Sequence, residues 1–296
     1  MTESIPSLRG ELRYDEPLAK HTSWHVGGNA RQVYKPADLQ DLSVFLSTLP
    51  EKETIIWLGL GSNILIRSGG INGTVILTQG GLNELIAQDN GAVRVEAGVT
   101  CAKLAKFCAK TNLEKGAFFA GIPGTVGGAL AMNAGAFGGE TWEYVTAVET
   151  IDRQGNIQKK SREDFEIAYR EVKRKENEWF VAGHFLFPLG DGEKANREIK
   201  ALLKKRGETQ PIGEFSCGSV FRNPPGDYAA RLIESCGLKG KTIGGAVVSP
   251  KHANFIINKA GATAADIEQL IYLVQQTVKA ETGVSLIKEC HIIGDE

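Results

Sequence analysis

The spacing of apolar residues changes along the chain and separates helices from strands. Leu39, Leu42, Leu46 and Leu49 recur at the three- and four-residue intervals of one helical face and predict a helix over 38–49. TIIWLG (54–59) and TVILT (74–78) are short apolar runs, AVRVEAG (92–98) alternates, and all three predict strands. In TCAKLAKFCAKT (100–111) the helical period returns, with Cys101, Leu104, Ala105 and Cys108 on one face. Cysteines so placed pack as small hydrophobes. VTAVETID (145–152) and NIQKKS (156–161), joined by RQG, predict a hairpin, and WFVAGHFLF (179–187) predicts another strand. EKANREIKALLKKR (193–206) is charged and helical, with Ile199, Leu202 and Leu203 inward, and connects two halves of the chain. Beyond it come a strand at NFIIN (254–258) and a helix opening near Thr263. That helix carries Ile267, Leu270, Ile271, Val274 and Val278 inward and is closed by Gly283. SLIKECHIIG (285–294) predicts a last strand. Strands and helices are mixed and the hairpin argues against a purely parallel sheet, so the fold class is α+β.

Composition narrows the function. A chain of 296 residues suits about two domains. Lys and Arg number 34 against 35 Asp and Glu, and no basic domain stands out, so nucleic acid is not an expected partner. Five cysteines without a C-x-x-C fit neither a disulfide framework nor a zinc ribbon, and a reducing cytoplasm is the expected setting. MTESIPSLRGELRYDEPLAK has no apolar core of a signal peptide. The uncharged stretch from Gly116 to Gly139 is long enough to span a bilayer, but eight of its 24 residues are glycine and it holds Pro123 and Asn133. Glycine makes weak helix, so no membrane span is expected. The five histidines show no metal-ligand spacing, and no metal site is expected.

Two glycine-rich loops remain to be explained. In WLGLGSNIL (57–65) a G-x-G follows a strand, yet Ile64 stands where a Rossmann turn needs its third glycine. No helix opens there, and the position about 20 residues on holds Gln79 and Gly80, with no acid. G-x-x-x-x-G-K-[ST] is absent as well. The physics of such loops still holds, because glycine lets backbone N–H groups approach phosphate oxygens and consecutive amides form an anion nest. Ser62 and Asn63 add side-chain donors. GIPGTVGGALAMNAGAFGG (121–139) repeats this chemistry on a larger scale, and two such loops favour a dinucleotide over simple tight turns.

In this order the motifs resemble a family. HTSWHVGGNA (21–30), GLGSNIL (59–65), GIPGTVGGALAMNAGAFGGE (121–140), AYR (168–170), RGETQP (206–211), GSVFRNP (218–224), ARLIESCGLKG (230–240), KHANFIIN (251–258) and LIKECHIIG (286–294) together resemble the UDP-N-acetylenolpyruvoylglucosamine reductase (MurB) family of flavoenzymes. The resemblance implies an FAD-binding α+β module of the vanillyl-alcohol-oxidase (PCMH) type, in two subdomains over 1–190. A smaller α+β substrate-binding domain over 191–296 would follow. It implies non-covalent FAD and NADPH as co-substrate. It further implies hydride delivery from flavin N5 to the enolpyruvyl methylene of UDP-N-acetylglucosamine enolpyruvate, yielding the peptidoglycan precursor UDP-N-acetylmuramate. Three departures stand out. Val172 replaces the serine usual after the family's Tyr-Arg, Cys217 sits two residues before the serine, and the length fits the shorter form without the tyrosine-bearing insertion.

The resemblance also assigns residues. Gly59, Leu60, Gly61, Ser62, Asn63, Ile64 and Leu65 would bind FAD, with Gly121, Ile122, Pro123, Gly124, Thr125, Gly127, Gly128, Asn133, Gly135 and Ala136. Ser219 would protonate the enolate left by hydride addition, for which an alcohol is acid enough. No G-x-S-x-G elbow surrounds it, so a hydrolase nucleophile has no motif support. Arg170 would stabilise the developing carboxylate charge, and Glu289 would work with it. Tyr169, Arg206, Gln210 and Asn223 are substrate-binding candidates, with flavin-side carboxylate and UDP phosphates both open as targets of Arg206 and Asn223. Two other functions compete with the reductase, a flavin oxidase or dehydrogenase on the same fold and a non-catalytic UDP-sugar or dinucleotide sensor. No covalent flavin-attachment pattern supports the oxidase, and the sensor leaves Arg170, Ser219 and Glu289 unexplained. A monomer is expected, since no association surface stands out.

Overall fold

The structure is a computed structural model that describes residues 7–296. Most of the N-terminal segment read for a signal peptide is thus included, and residues 1–6 lie outside the described residues. Among the described residues there are six α-helices: α1 (Leu39–Thr48), α2 (Cys101–Lys110), α3 (Val126–Ala131), α4 (Gly192–Thr209), α5 (Ala229–Ser235) and α6 (Ala264–Thr282). The starts of α1, α2 and α6 follow from side chains that satisfy the first free N–H groups. Asp38 accepts from the Asp41 N–H at 2.9 Å, and Thr100 accepts from the Lys103 N–H at 3.2 Å. Thr263 and Asp266 exchange bonds in a capping box at 3.1 and 2.8 Å. Gly283, at φ 74°, ends α6 in the left-handed conformation glycine tolerates best.

A five-stranded antiparallel sheet runs in the order Ile157–Ser161, Val145–Asp152, Glu178–Leu186, Ala92–Glu96, Leu85–Ala87. A four-stranded sheet has the order Glu11–Pro17, Asn29–Lys35, Ile71–Leu77, Ile55–Leu58, its last two strands parallel. Thr242–Ile243, Ala246–Val248 and Ile256–Asn258 form a three-stranded antiparallel sheet, and His291–Ile293 pairs in parallel with Ile64–Ile66.

The chain falls into two compact units. The first holds residues 7–14, 32–59 and 73–203, and the second holds 15–31, 60–72 and 204–296. In the first, one apolar cluster gathers the inward face of α2 (Cys101, Leu104, Ala105, Cys108) with Phe119, Trp142, Phe185 and Phe187. A second gathers Leu42, Phe45 and Leu46 of α1 with Ile76, Ala97 and Val181. The glycine-rich stretch forms a 3-10 turn at Ala117–Gly121, the six-residue α3 and two-residue strands. No helix among the described residues is long and apolar enough to cross a membrane. In the second unit, Ile267, Leu270, Ile271, Val274 and Val278 of α6 pack with Trp24, Leu65, Val220 and Ile256.

Two expectations need correction. Ile199 is buried and Leu202 half-buried, but Leu203 is 42% exposed. The buried stripe of this helix is narrow, Gly192, Ala195 and Ile199 being its buried residues, and Leu203 lies at its edge. SLIKECHIIG gives regular strand only at His291–Ile293. The preceding residues lie along another segment through an isolated Phe221–Lys288 bridge.

Candidate functional site

In the first unit Gly59, where the first glycine loop begins, lies against Thr125 of the second. Gly59 follows the Ile55–Leu58 strand, and a Cβ there would collide with the Thr125 hydroxyl. The second loop is knitted to residues 97–101 through its backbone. Val126 N–H donates to Val99 O at 2.8 Å, Gly127 N–H to Ala97 O at 2.9 Å, and Cys101 N–H to Gly124 O at 2.9 Å. A Cβ at Gly127 would stand 2.8 Å from Ala97 Cβ, so main chain meets main chain. Thr125 and Ile122 are buried, whereas Pro123 and Gly128 are exposed and Gly121, Gly124, Gly135 and Ala136 half-buried. Neither 57–65 nor 116–139 contains an acidic residue. Small side chains, close-lying backbone and no carboxylate fit a large anionic dinucleotide such as FAD.

Arg170 projects from the turn of a hairpin made by Glu166–Ala168 and Glu171–Lys173. Its φ of 57° is left-handed, an uncommon state for a side chain of this size. Its guanidinium donates to Gly135 O at 2.8 Å and Asn133 O at 3.4 Å and lies 5.1 Å from the ring of Tyr169, which is 44% exposed. Asn133 is buried and ties the glycine loop to this hairpin. Its amide donates to Glu140 at 2.8 Å and to Ala168 O at 3.2 Å, and its oxygen accepts from Trp142 N–H at 3.1 Å. The structure therefore brings Asn133, Gly135 and Arg170 together, with the Asn133 side chain wholly engaged by the protein. Val172 is buried in the apolar cluster of this unit.

The remaining candidates lie in the second unit. Gly61 has φ 58°, and a Cβ there would run into His21 O, while its carbonyl accepts from Ser23 N–H at 3.1 Å. Leu60, Ser62, Asn63 and Ile64 are half-buried, and Leu65 is a core residue whose side chain faces apolar neighbours. Asn63 reaches the last part of the chain, donating from Nδ2 to Glu289 O at 3.0 Å and accepting from His291 N–H at 3.0 Å. Ser219 is half-buried between Gly218, at φ 80°, and buried Val220. Glu289 N–H donates to Val220 O at 2.7 Å, so Ser219 and Glu289 sit on neighbouring segments. Cys217 is buried. Burial first, then a hydrogen bond with the Cys290 thiol, pushes its pKa well up and keeps it a thiol.

Arg206, in the last turn of α4, bonds Gln210 at 3.0 Å. Burial pulls its guanidinium below the ordinary value, and its neighbour there is an amide in place of a carboxylate. A desolvated cation so placed suits an anionic ligand. Asn223 is exposed, and its side-chain oxygen accepts from Ala229 N–H at 3.1 Å, starting α5. Among the described residues no three His, Cys, Asp or Glu gather as metal ligands. The motifs single out no role for Asn254, whose side chain bonds both backbone groups of Phe221 at 3.0 and 2.8 Å. It lies inside the quoted KHANFIIN, but only its contacts single it out.

Residues 30–161 match the FAD binding domain family, and residues 210–293 match the UDP-N-acetylenolpyruvoylglucosamine reductase, C-terminal domain. The chain is 60% identical over 311 residues to the UDP-N-acetylenolpyruvoylglucosamine reductase of Coxiella burnetii strain Dugway 5J108-111, covering 99% of this chain and 98% of that one. It is 58% identical over 292 residues to the enzyme of that name from Legionella pneumophila strain Paris, covering 98% and 96%. Among solved structures it resembles UDP-N-acetylenolpyruvylglucosamine reductase (MurB) from Thermus caldophilus, with a TM-score of 0.82 at 29% identity over 97% of this chain and 99% of that chain. In fold alone it resembles 6-hydroxy-D-nicotine oxidase from Arthrobacter nicotinovorans, with a TM-score of 0.55 at 12% identity over 97% and 90%.

Proposed function

The chain belongs to the UDP-N-acetylenolpyruvoylglucosamine reductase family of FAD-dependent oxidoreductases, and on that premise we propose that it reduces the enolpyruvyl ether of UDP-N-acetylglucosamine to UDP-N-acetylmuramate with NADPH as reductant. Its fold is α+β, a PCMH-type FAD-binding module followed by the C-terminal domain of that family. The observation that supports the chemistry best is the pairing of the Ser219 segment with Glu289 through the 2.7 Å bond to Val220 O. We divide the labour at residue 190, with FAD bound before it, and substrate held mainly after it.

Non-covalent FAD, when bound, would supply the hydride chemistry, with NADPH as the reductant. Gly59, Gly61, Gly121, Gly124, Thr125, Gly127 and Gly128 would hold it through close backbone approach, with Leu60, Ser62, Asn63, Ile64, Leu65, Ile122, Pro123, Asn133, Gly135 and Ala136 around them. Hydride addition to the substrate's methylene leaves negative charge on the adjoining carbon and its carboxylate. Ser219 donates its hydroxyl proton to that carbon and recovers one from solvent. Arg170, its fork oriented by the Gly135 and Asn133 carbonyls, neutralises the carboxylate as charge builds there. Glu289 assists as a protonated or paired carboxyl, since a bare carboxylate would oppose the same charge. Tyr169, Arg206, Gln210 and Asn223 bind substrate, with Arg206 on an anionic group. We place the enzyme in the cytoplasm as a monomer acting on small molecules alone.

The test is an anaerobic visible spectrum of the purified protein during addition of NADPH and then UDP-N-acetylglucosamine enolpyruvate. The yellow colour bleaches with the first and returns with the second. Return only on admitting air would make the protein an oxidase, and a colourless protein that takes up no FAD would undo the reading of both glycine loops. In Ser219→Ala bleaching persists while the return of colour slows by about 10²-fold or more, the scale of general acid catalysis.

A further inference from the structure

Ser219 lies at the edge of a short extended segment whose backbone is buried, and every polar group of that segment needs a partner. On one side the partner is the 287–290 segment. Glu289 N–H donates to Val220 O at 2.7 Å and Arg222 N–H to Ile287 O at 2.9 Å, the pattern of an antiparallel bridge between Phe221 and Lys288. Those bonds use the groups of Val220 and Arg222 that point one way. The N–H and C=O of Phe221 point the other way, where no strand runs. Asn254 stands there. Its side-chain oxygen accepts from Phe221 N–H at 3.0 Å and its Nδ2 donates to Phe221 O at 2.8 Å. Its own backbone carbonyl accepts from Val220 N–H at 2.9 Å. A primary amide sets an N–H donor beside a carbonyl acceptor, so it can pair with both backbone groups of Phe221 as a strand would. Val220, Phe221 and Asn254 are 0%, 1% and 4% exposed, so water cannot replace these bonds.

Asn254 is held in turn. Its N–H donates to His252 Nδ1 at 3.3 Å, and the loop before it is pinned by Ser249, whose hydroxyl accepts from Lys251 and His252 N–H, both at 3.2 Å. Three bonds from one asparagine therefore fix the two residues that follow Ser219. We propose that Asn254 is a positioning residue that sets the Ser219 hydroxyl in place for protonation, an inference that rests on Ser219 being the proton donor. It touches no reacting atom. It acts through the Val220–Phe221 backbone, while Gly218 leaves the other flank of Ser219 without side-chain support.

The test combines half-reaction kinetics with amide exchange in the FAD-loaded enzyme. Wild type, Asn254→Leu, Ser219→Ala and the double variant are each reduced with NADPH, then mixed with the enolpyruvyl substrate. In Asn254→Leu the first half-reaction stays within about twofold and the second slows about 10- to 100-fold, the range a sub-ångström misplacement commands. In the Ser219→Ala background the second substitution adds less than about twofold, because a residue acting through Ser219 has nothing left to position. The Phe221 amide loses its protection from exchange in Asn254→Leu, a signal independent of turnover. Multiplying effects in the double variant, or a normal second half-reaction with Phe221 unprotected, would overturn the inference alone. A Ser219→Ala enzyme as fast as wild type would instead remove the proton-donor reading, and this inference with it. Should Asn254→Leu not fold, Asn254→Asp keeps the acceptor for Phe221 N–H, loses the donor to Phe221 O, and gives a smaller slowing of the same step.

Discussion

At the scale of single residues, Cys217 shows how neighbouring side chains can differ in fate. It stands two positions before Ser219, yet burial and the Cys290 thiol hold it protonated. Cys101 and Cys108 are pushed by burial to about 12. Cys236 alone among the five cysteines is not buried. Native alkylation followed by peptide mass spectrometry should therefore modify Cys236 first and leave Cys101, Cys108, Cys217 and Cys290 unmodified until the protein unfolds. Rapid labelling of Cys217 would contradict the packing described. Ser219, Arg170 and Glu289 stand out as candidates because their motifs are contiguous. What a motif cannot give is the direction of a side chain. Asn133 turns its amide into the protein toward Glu140, Ala168 and Trp142, and Leu65 turns into the core. Asn254 stays silent in the sequence because its partners lie 33 residues away.

At the scale of elements, long periodic segments were legible and short ones were not. α1, α2 and α6 carry both an apolar face and a capping side chain, so pattern and end signal agree. Replacing Thr263 with Ala removes one side of the α6 capping box and should destabilise the protein by ~1 kcal/mol, measured by denaturant unfolding, with Thr263→Ser close to wild type. The hairpin bearing Arg170 has strands of three residues, and α5 has seven residues and no capping side chain on its own N-cap. The hairpin is tied down by a bond distant in sequence, Asn133 to Ala168, which periodicity does not register.

For the whole molecule, α+β character was legible from the mixture of periods, but the two units were not. The second unit joins 15–31 and 60–72 to 204–296, and no local signal announces such long-range assembly. Stability against acid is also a property of the whole. Glu149 receives two bonds from the Arg94 guanidinium at 2.7 Å and lies 2.8 Å from His184 Nε2. The bonds from Arg94 first, then from His184, lower its pKa to about 2 from an ordinary 4.5. A lowered carboxylate pKa stabilises the fold fully above about pH 4.5, and that contribution fades as pH falls toward 2. Glu149→Gln should therefore lower the denaturant midpoint at pH 6, while the difference from wild type shrinks between pH 4.5 and 2. A constant gap across that range would show that the ion pair does not govern acid stability.

The parallel pairing of His291–Ile293 with Ile64–Ile66, and the Asn63–Glu289 bond beside it, join parts of the chain 226 residues apart. During synthesis the GLGSNIL loop emerges early and must wait for its partner. At about 5–20 residues per second that delay is roughly 10–45 s. Until then the loop lacks the carbonyl that accepts from Asn63, so a half-made chain cannot hold the finished loop. Completion of this loop is thereby ordered after translation of the segment that carries Glu289.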